Sequence, residues 1–141
     1  MTVVYMDTSS LVKLYVQEEG STAVASQLEA AEALATSVVA YPEAQAAFSR
    51  RYREGSYSNA GFQRIKDAFE RDWPHFAAVL VTMELAKAAG DLTEKHHLRG
   101  FDAIHLASAL TLKNRLKTPP IFSCFDHHLN DAAEAEGFSL A

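Results

Sequence analysis

Short β-prone runs alternate with longer helical stretches along the whole chain, and no Asn-Gly or Asp-Gly pair joins two of those runs in a tight hairpin. Strands that lack two-residue turns must be linked by crossovers, and helical crossovers between parallel strands are right-handed and cover both faces of the sheet. The order of elements therefore predicts an α/β fold: a three-layer α/β/α sandwich around a central, mostly parallel sheet of four to five strands. The chain has 141 residues, 48% hydrophobic and 22% charged, which fits one globular domain over residues 1–141 without a disulfide or metal staple.

The expected elements follow from local signals. Val3 to Met6 is a β-prone run ending at Asp7. A helix should start near Ser10 and stop before Gly20, and Ser21 can cap a second helix to about Ala31. Leu34 to Val38 reads as a second strand. Pro42 suits the first turn of a helix that runs to Arg53 and stops at Gly55. Ser58 or Asn59 caps another helix, ended by Pro74. Phe76 to Val81 is continuously apolar and reads as a strand buried on both faces. Met83 to Ala89 reads as a helix closed by Gly90, with Asp91 and Glu94 at capping-box spacing for the next. Gly100 precedes a long helix from Asp102 to about Lys117. Ile121 to Phe125 is a strand, His128 to Glu136 a helix, and Phe138 to Leu140 a possible last strand.

Thirteen Lys and Arg stand against eighteen Asp and Glu, a formal charge of −5. A protein of this balance does not hold nucleic acid by bulk positive charge. A nuclease whose acidic site first takes up a cation remains compatible with it. The single cysteine, Cys124, excludes an internal disulfide and makes a reducing, cytoplasmic setting the expectation. The first residues carry no basic leader pattern, and the apolar runs fall short of the ~18 residues of a membrane span, so no membrane association is expected.

Four carboxylates stand at element ends. Asp7 follows the first strand, Glu43 opens the helix after the second, Asp102 opens the longest helix, and Asp126 follows the strand from Ile121. Each by itself reads as a cap or a helix-dipole partner worth about 0.3–1 kcal/mol. In a parallel sheet all four can reach the same carboxyl edge, where open α/β sheets bind ligands. Four anions a few Å apart repel by roughly 3 kcal/mol per pair at an effective dielectric near 20, so such a cluster calls for a positive centre. An all-oxygen donor set favours a hard cation such as Mg²⁺ or Mn²⁺. The long helix is apolar nearly all round except for Asp102, His105 and Ser108, which share a face. That stripe is either a solvated edge or a face turned to a polar site.

These residues resemble a known family. Asp7-Thr8-Ser9-Ser10-Leu11-Val12-Lys13-Leu14-Tyr15, then Glu43, then Arg99-Gly100-Phe101-Asp102-Ala103-Ile104-His105-Leu106-Ala107-Ser108-Ala109, then Phe125-Asp126, are similar to PIN-domain ribonucleases. The pattern is closest to the VapC-type toxins of toxin–antitoxin pairs, and it runs over essentially the whole chain. The resemblance implies a Mg²⁺- or Mn²⁺-dependent endoribonuclease that leaves a 5′-phosphate and a 3′-hydroxyl. Asp7 and Asp102 would be the main metal contacts, and Glu43 and Asp126 would complete the site directly or through water. Glu43 or Asp126 is the candidate general base. Ser9, Arg99 and His105 are candidates for supporting or substrate contacts. RNA is the implied substrate, a cognate antitoxin the implied partner and a homodimer the implied assembly. Pro42 and Cys124 depart mildly from the family pattern without removing a carboxylate.

Basic residues at Arg50, Arg51 and Arg53, at Lys95 and Arg99, and at Lys113, Arg115 and Lys117 offer routes for RNA, the last group reading as a solvated face. His96-His97 and His127-His128 lack zinc-ligand spacing. His105 is expected to pack or hydrogen-bond near the site. The aromatic residues Tyr52, Tyr57, Phe62, Phe69, Trp73 and Phe76 read as helix-packing surface. A PIN-like RNA- or protein-binding module without catalysis is the alternative function. Aspartyl-phosphate chemistry fits poorly, because Ser9 stands where a second Asp is expected and Asp126 where a receiver would carry Lys.

Overall fold

Strand β1 (Val3–Met6) is buried along its full length and forms the centre of the sheet. The structure is a computed structural model and describes residues 2–141. β1 pairs in parallel with β2 (Ala33–Ser37) on one side and β4 (Ile121–Ser123) on the other, and β2 pairs in parallel with β3 (Ala77–Val79). The strand order is β3-β2-β1-β4. All pairings among the described residues of this sheet are parallel, as the absence of hairpin signals requires.

Side chains alternate across the strand. Val3 and Tyr5 enter one core with α5 (Met83–His96), α6 (Gly100–Arg115) and α7 (His127–Ala135). Val4 and Met6 enter the other with α1 (Thr8–Val12), α2 (Ser21–Glu29), α3 (Ala40–Arg53) and α4 (Asn59–Asp72). The result is the three-layer α/β/α sandwich. The aromatic residues of α3 and α4 pack as expected: Phe69 meets Phe48, Tyr15 and Trp73 edge-on or tilted, and Tyr52 stacks on Phe62.

Several boundaries differ from the sequence expectation for physical reasons. α1 is short and capped by Asp7, and hydrogen-bonded turns carry the chain from Lys13 to Val16. Gly20, at φ +92°, is the cap of α2, while the Ser21 hydroxyl donates to Val16 O and accepts from Glu18 N. β3 is an edge strand with Ala77 exposed, so the apolar run Phe76 to Val81 is not buried on both faces. α5 continues through Gly90, and Asp91 lies inside it instead of capping a new helix. Its cap is Thr82, and burial of Leu85, Ala89 and Leu92 outweighs the ~1 kcal/mol that glycine costs relative to alanine. Phe138 to Leu140 contributes one parallel bridge, Phe122 to Leu140, and no strand. Lys113 is not on a solvated face: its ammonium donates to Glu136 O and lies 5.4 Å from the centre of the Phe138 ring.

Candidate active site

The central position of β1 places Asp7 at the middle of the carboxyl edge, and its side chain is only 5% exposed. Oδ1 of Asp7 accepts from the Ser10 amide at 3.0 Å and from the Ser9 hydroxyl at 2.7 Å. The residue thus caps α1 through one oxygen. Glu43, in the first turn of α3, is reached by two donors on Oε1: the Thr8 hydroxyl at 2.5 Å and Nε2 of His105 at 3.1 Å. Burial pushes the Glu43 carboxyl up, but the hydrogen bonds from His105 and Thr8 outweigh it and hold the group below the ordinary glutamate value.

His105 is itself buried on α6, and its Nδ1 lies 2.8 Å from the Tyr5 hydroxyl. Burial pushes the Tyr5 phenol well up, so it keeps its proton and can donate it to Nδ1. A carboxylate only accepts, so Nε2 carries the hydrogen that faces Glu43. The two contacts are compatible with one arrangement, in which Nδ1 accepts from Tyr5 and Nε2 donates to Glu43. Ser108, one turn further on, is also buried and donates to Ile104 O. Of the polar stripe of α6, Asp102 and His105 line the cleft, while Ser108 is buried against its own helix backbone.

Asp102, in the first turn of α6, and Asp126, the cap of α7, share a cation. The Arg99 guanidinium lies 3.2 Å from Oδ2 of Asp102 and 3.7 Å from Oδ2 of Asp126. Arg99 is mostly exposed, so this contact is screened by water and free to open.

Asp7, Glu43, Asp102 and Asp126 line one cleft of about 640 Å³, with Ser9, Arg99 and His105 also in its wall. Lys13, Arg50 and Arg51 stand at its rim, and Glu18 bridges Lys13 and Arg51. A larger cavity of about 850 Å³ lies beside β3 between α5 and α6, where Glu84 is the only carboxylate, so it offers no comparable chemistry. Among the described residues no three His, Cys, Asp or Glu side chains converge closely enough to hold one ion as placed. The repulsion expected of four clustered anions is relieved here by Arg99 between Asp102 and Asp126, by the Ser9 and Ser10 donors on Asp7, by Thr8 and His105 on Glu43, and by the His128 amide on Asp126.

The donor chemistry nevertheless suits a hard cation. Oδ2 of Asp7, Oε2 of Glu43 and Oδ1 of Asp102 accept no hydrogen bond from a nitrogen or oxygen donor among the described residues. Three helix starts thus each bring to the wall of the same cleft a carboxylate with one oxygen free of such donors. Thr8 and Tyr5 were not singled out by the sequence. Thr8 adjoins Asp7 and is legible as a polar residue at a strand end, whereas Tyr5 reads as an ordinary inward side chain of β1.

A parallel sheet with an acidic cleft at its carboxyl edge is the architecture of a known class. The family described as PIN domain matches residues 4–134. The chain belongs to the PIN-domain family. Over 100% of its length it is 35% identical to Ribonuclease VapC45 and to Ribonuclease VapC49 of Mycobacterium tuberculosis, covering 96% of each. It is 31% identical to Ribonuclease VapC47 of the same species, over 99% of this chain and 96% of that one. A solved toxin–antitoxin complex from Klebsiella pneumoniae shares the fold, with a TM-score of 0.59 and 19% identity over 87% of this chain and 86% of that chain. Within the family the chain is therefore of the VapC type, an enzyme of the nuclease class.

Proposed function

We propose that the protein is a Mg²⁺-dependent endoribonuclease, with Mn²⁺ able to substitute, and the toxin of a toxin–antitoxin pair. The observation that carries this reading is the meeting of Asp7, Glu43, Asp102 and Asp126, from four distant segments, in one cleft. Asp7 and Asp102 would hold the cation, and Glu43 and Asp126 would complete the site directly or through water. When bound, the cation neutralises phosphate charge and makes an attacking water more acidic.

The charges of the cleft explain why a cation is required. Lys13, Arg50, Arg51 and Arg99 face Asp7, Glu18, Glu43, Asp102 and Asp126, which leaves the cleft net negative. A phosphodiester is repelled from such a site until a divalent charge reverses the balance. Arg99 then turns from the carboxylates to the incoming phosphate, a movement its exposure permits. Thr8 and His105 hold Glu43 through Oε1 and leave Oε2 without a hydrogen bond from either. Glu43 or Asp126 accepts the proton of the attacking water.

RNA cleavage with Mg²⁺ or Mn²⁺, set beside Asp7→Asn and Asp102→Asn, tests the reading. Loss of cleavage in both variants and in the presence of a chelator is expected; equal cleavage in all samples overturns it. A cognate antitoxin silences the enzyme by covering the cleft, and the solved Klebsiella pneumoniae relative of the same fold is described as a toxin–antitoxin complex. The protein acts as a homodimer, which light scattering of the purified chain checks.

A further inference from the structure

Oδ1 of Asn130 is the only buried side-chain nitrogen or oxygen without a hydrogen-bond partner among the described residues. A buried acceptor left unpaired lowers stability, and a leucine of similar volume would remove that cost. The other end of the carboxamide shows what the asparagine supplies. Nδ2 donates to Cys124 O at 3.0 Å, six residues back in the chain. The Asn130 amide donates to Asp126 O at 3.0 Å, the backbone bond that opens α7. Asn130 thus grips both ends of the turn Cys124-Phe125-Asp126, which follows directly on the last residue of β4, Ser123.

The turn is also closed from within, because Sγ of Cys124 accepts from the Asp126 amide at 3.2 Å. Oδ1 of Asp126 is taken by the His128 amide at 2.8 Å, and Oδ2 is the oxygen that Arg99 approaches at 3.7 Å. Of these contacts, the one from Asn130 Nδ2 alone reaches across the turn from α7 to the residue that follows β4. Asp126 lies inside the loop that this bond closes. We propose that Asn130 is a positioning residue: by joining α7 to the end of β4 across Asp126, its carboxamide fixes where the Asp126 carboxylate stands in the wall of the cleft, and through it the strength of cation binding. This rests on the metal-dependent reading of the cleft and adds to it a residue that does not itself line the wall.

The test uses the full chain, with Mn²⁺ alone as the binding probe, and compares Asn130→Leu, Asn130→Gln, Asp126→Asn and the double variant of Asn130→Leu with Asp126→Asn. Asn130→Leu should melt close to wild type, because the lost bond to Cys124 O is set against removal of the unpaired Oδ1. Should it fail to fold, Asn130→Ala takes its place throughout. Without metal, hydrogen exchange at the Asp126 and His128 amides should quicken about fivefold, the size of one net hydrogen bond. By calorimetry the dissociation constant for Mn²⁺ should rise about tenfold, and kcat for RNA should fall by a similar factor with KM little changed. Asn130→Gln, which keeps a donor, should recover part of both. In the Asp126→Asn background the leucine substitution should alter neither quantity further, because a residue that acts through Asp126 then has no carboxylate to place. Equal effects in the two backgrounds overturn the proposal, as does wild-type Mn²⁺ affinity in folded Asn130→Leu. The expected Mn²⁺ pattern in a chain that cleaves no RNA supports the positioning role and removes the ribonuclease reading. Cleavage by wild type, with Mn²⁺ affinity unchanged in the leucine variant, does the reverse.

Discussion

His105 on α6 places Nε2 3.1 Å from Oε1 of Glu43 on α3, although 62 residues separate the two in sequence. With Thr8 on the same oxygen and Tyr5 on the far side of the imidazole, the two helices and β1 are tied together directly beneath the cleft. His105→Leu should lower kcat/KM by about 10–100-fold, the range for partners that orient metal-binding carboxylates. It should also cost about 1–3 kcal/mol of stability, because the buried Tyr5 hydroxyl loses its acceptor. His105→Gln, which keeps a donor for Glu43, should recover part of the activity. Kinetics and melts on both variants measure this, and a leucine variant with wild-type activity would remove the positioning role.

Asp7 combines a cap and a candidate metal ligand, and the two roles can be separated. Asparagine can still accept from the Ser10 amide and the Ser9 hydroxyl through Oδ1, so Asp7→Asn should melt within about 1 kcal/mol of wild type. Cleavage should fall by about a hundredfold or more, because the charge that holds the cation is gone. A variant that loses folding and activity together would show that the cap needs the full carboxylate.

Arg99 competes with any cation for Asp102 and Asp126. Arg99→Gln should therefore lower the Mn²⁺ concentration needed for half-maximal binding, read by calorimetry, and raise KM for RNA. The opposite shifts, with weaker Mn²⁺ binding, would mean that the guanidinium supports the metal site.

Acid sensitivity should have an identifiable source in Glu136. Hydrogen bonds from Lys95 at 2.8 Å and His96 at 2.6 Å, set against a smaller effect of burial, hold its carboxyl below the ordinary value of 4.5. A group whose pKa is depressed by folding adds stability above its unfolded pKa, and that stability is lost as pH falls through the folded value. Between about pH 6 and about pH 3, wild type should lose more melting temperature than Glu136→Gln. Parallel curves for the two proteins would locate the acid sensitivity elsewhere, with Glu43 the next group to substitute.

Gly20→Ala should be costly on two counts. The residue sits at φ +92°, which costs an L side chain about 1–2 kcal/mol, and the new methyl would meet Phe125 at 2.8 Å. A lower melting temperature than wild type is expected in thermal melts. A variant that melts with wild type would show that the backbone and the Phe125 ring both adjust to the methyl.

Much of this architecture is legible in the chain because it rests on local signals. The run Val3 to Met6 ending at Asp7, Ser58 as a cap, and the stop at Gly55 depend on a few neighbouring residues, and the structure repeats them. The far end of α5 and the burial of β3 do not follow from local signals. Gly90 stops a helix only when nothing outweighs its propensity, and here the buried face of Leu85, Ala89 and Leu92 does. An apolar run indicates burial, but only the strand order shows that β3 lies at the edge.

By itself the amino-acid sequence determined the alternation that compels a parallel sheet, and the positions of four carboxylates at element ends, because periodicity, caps and breakers act over a few residues. Tertiary structure alone decided the partners of those carboxylates: His105 and Thr8 for Glu43, Arg99 for the pair Asp102 and Asp126, and Gly20 for the ring beside them. Apart from Arg99 and Asp102, three residues apart on one helix start, these contacts join segments far apart in the chain. Their geometry is therefore set by strand register and helix packing, which no short stretch of sequence encodes.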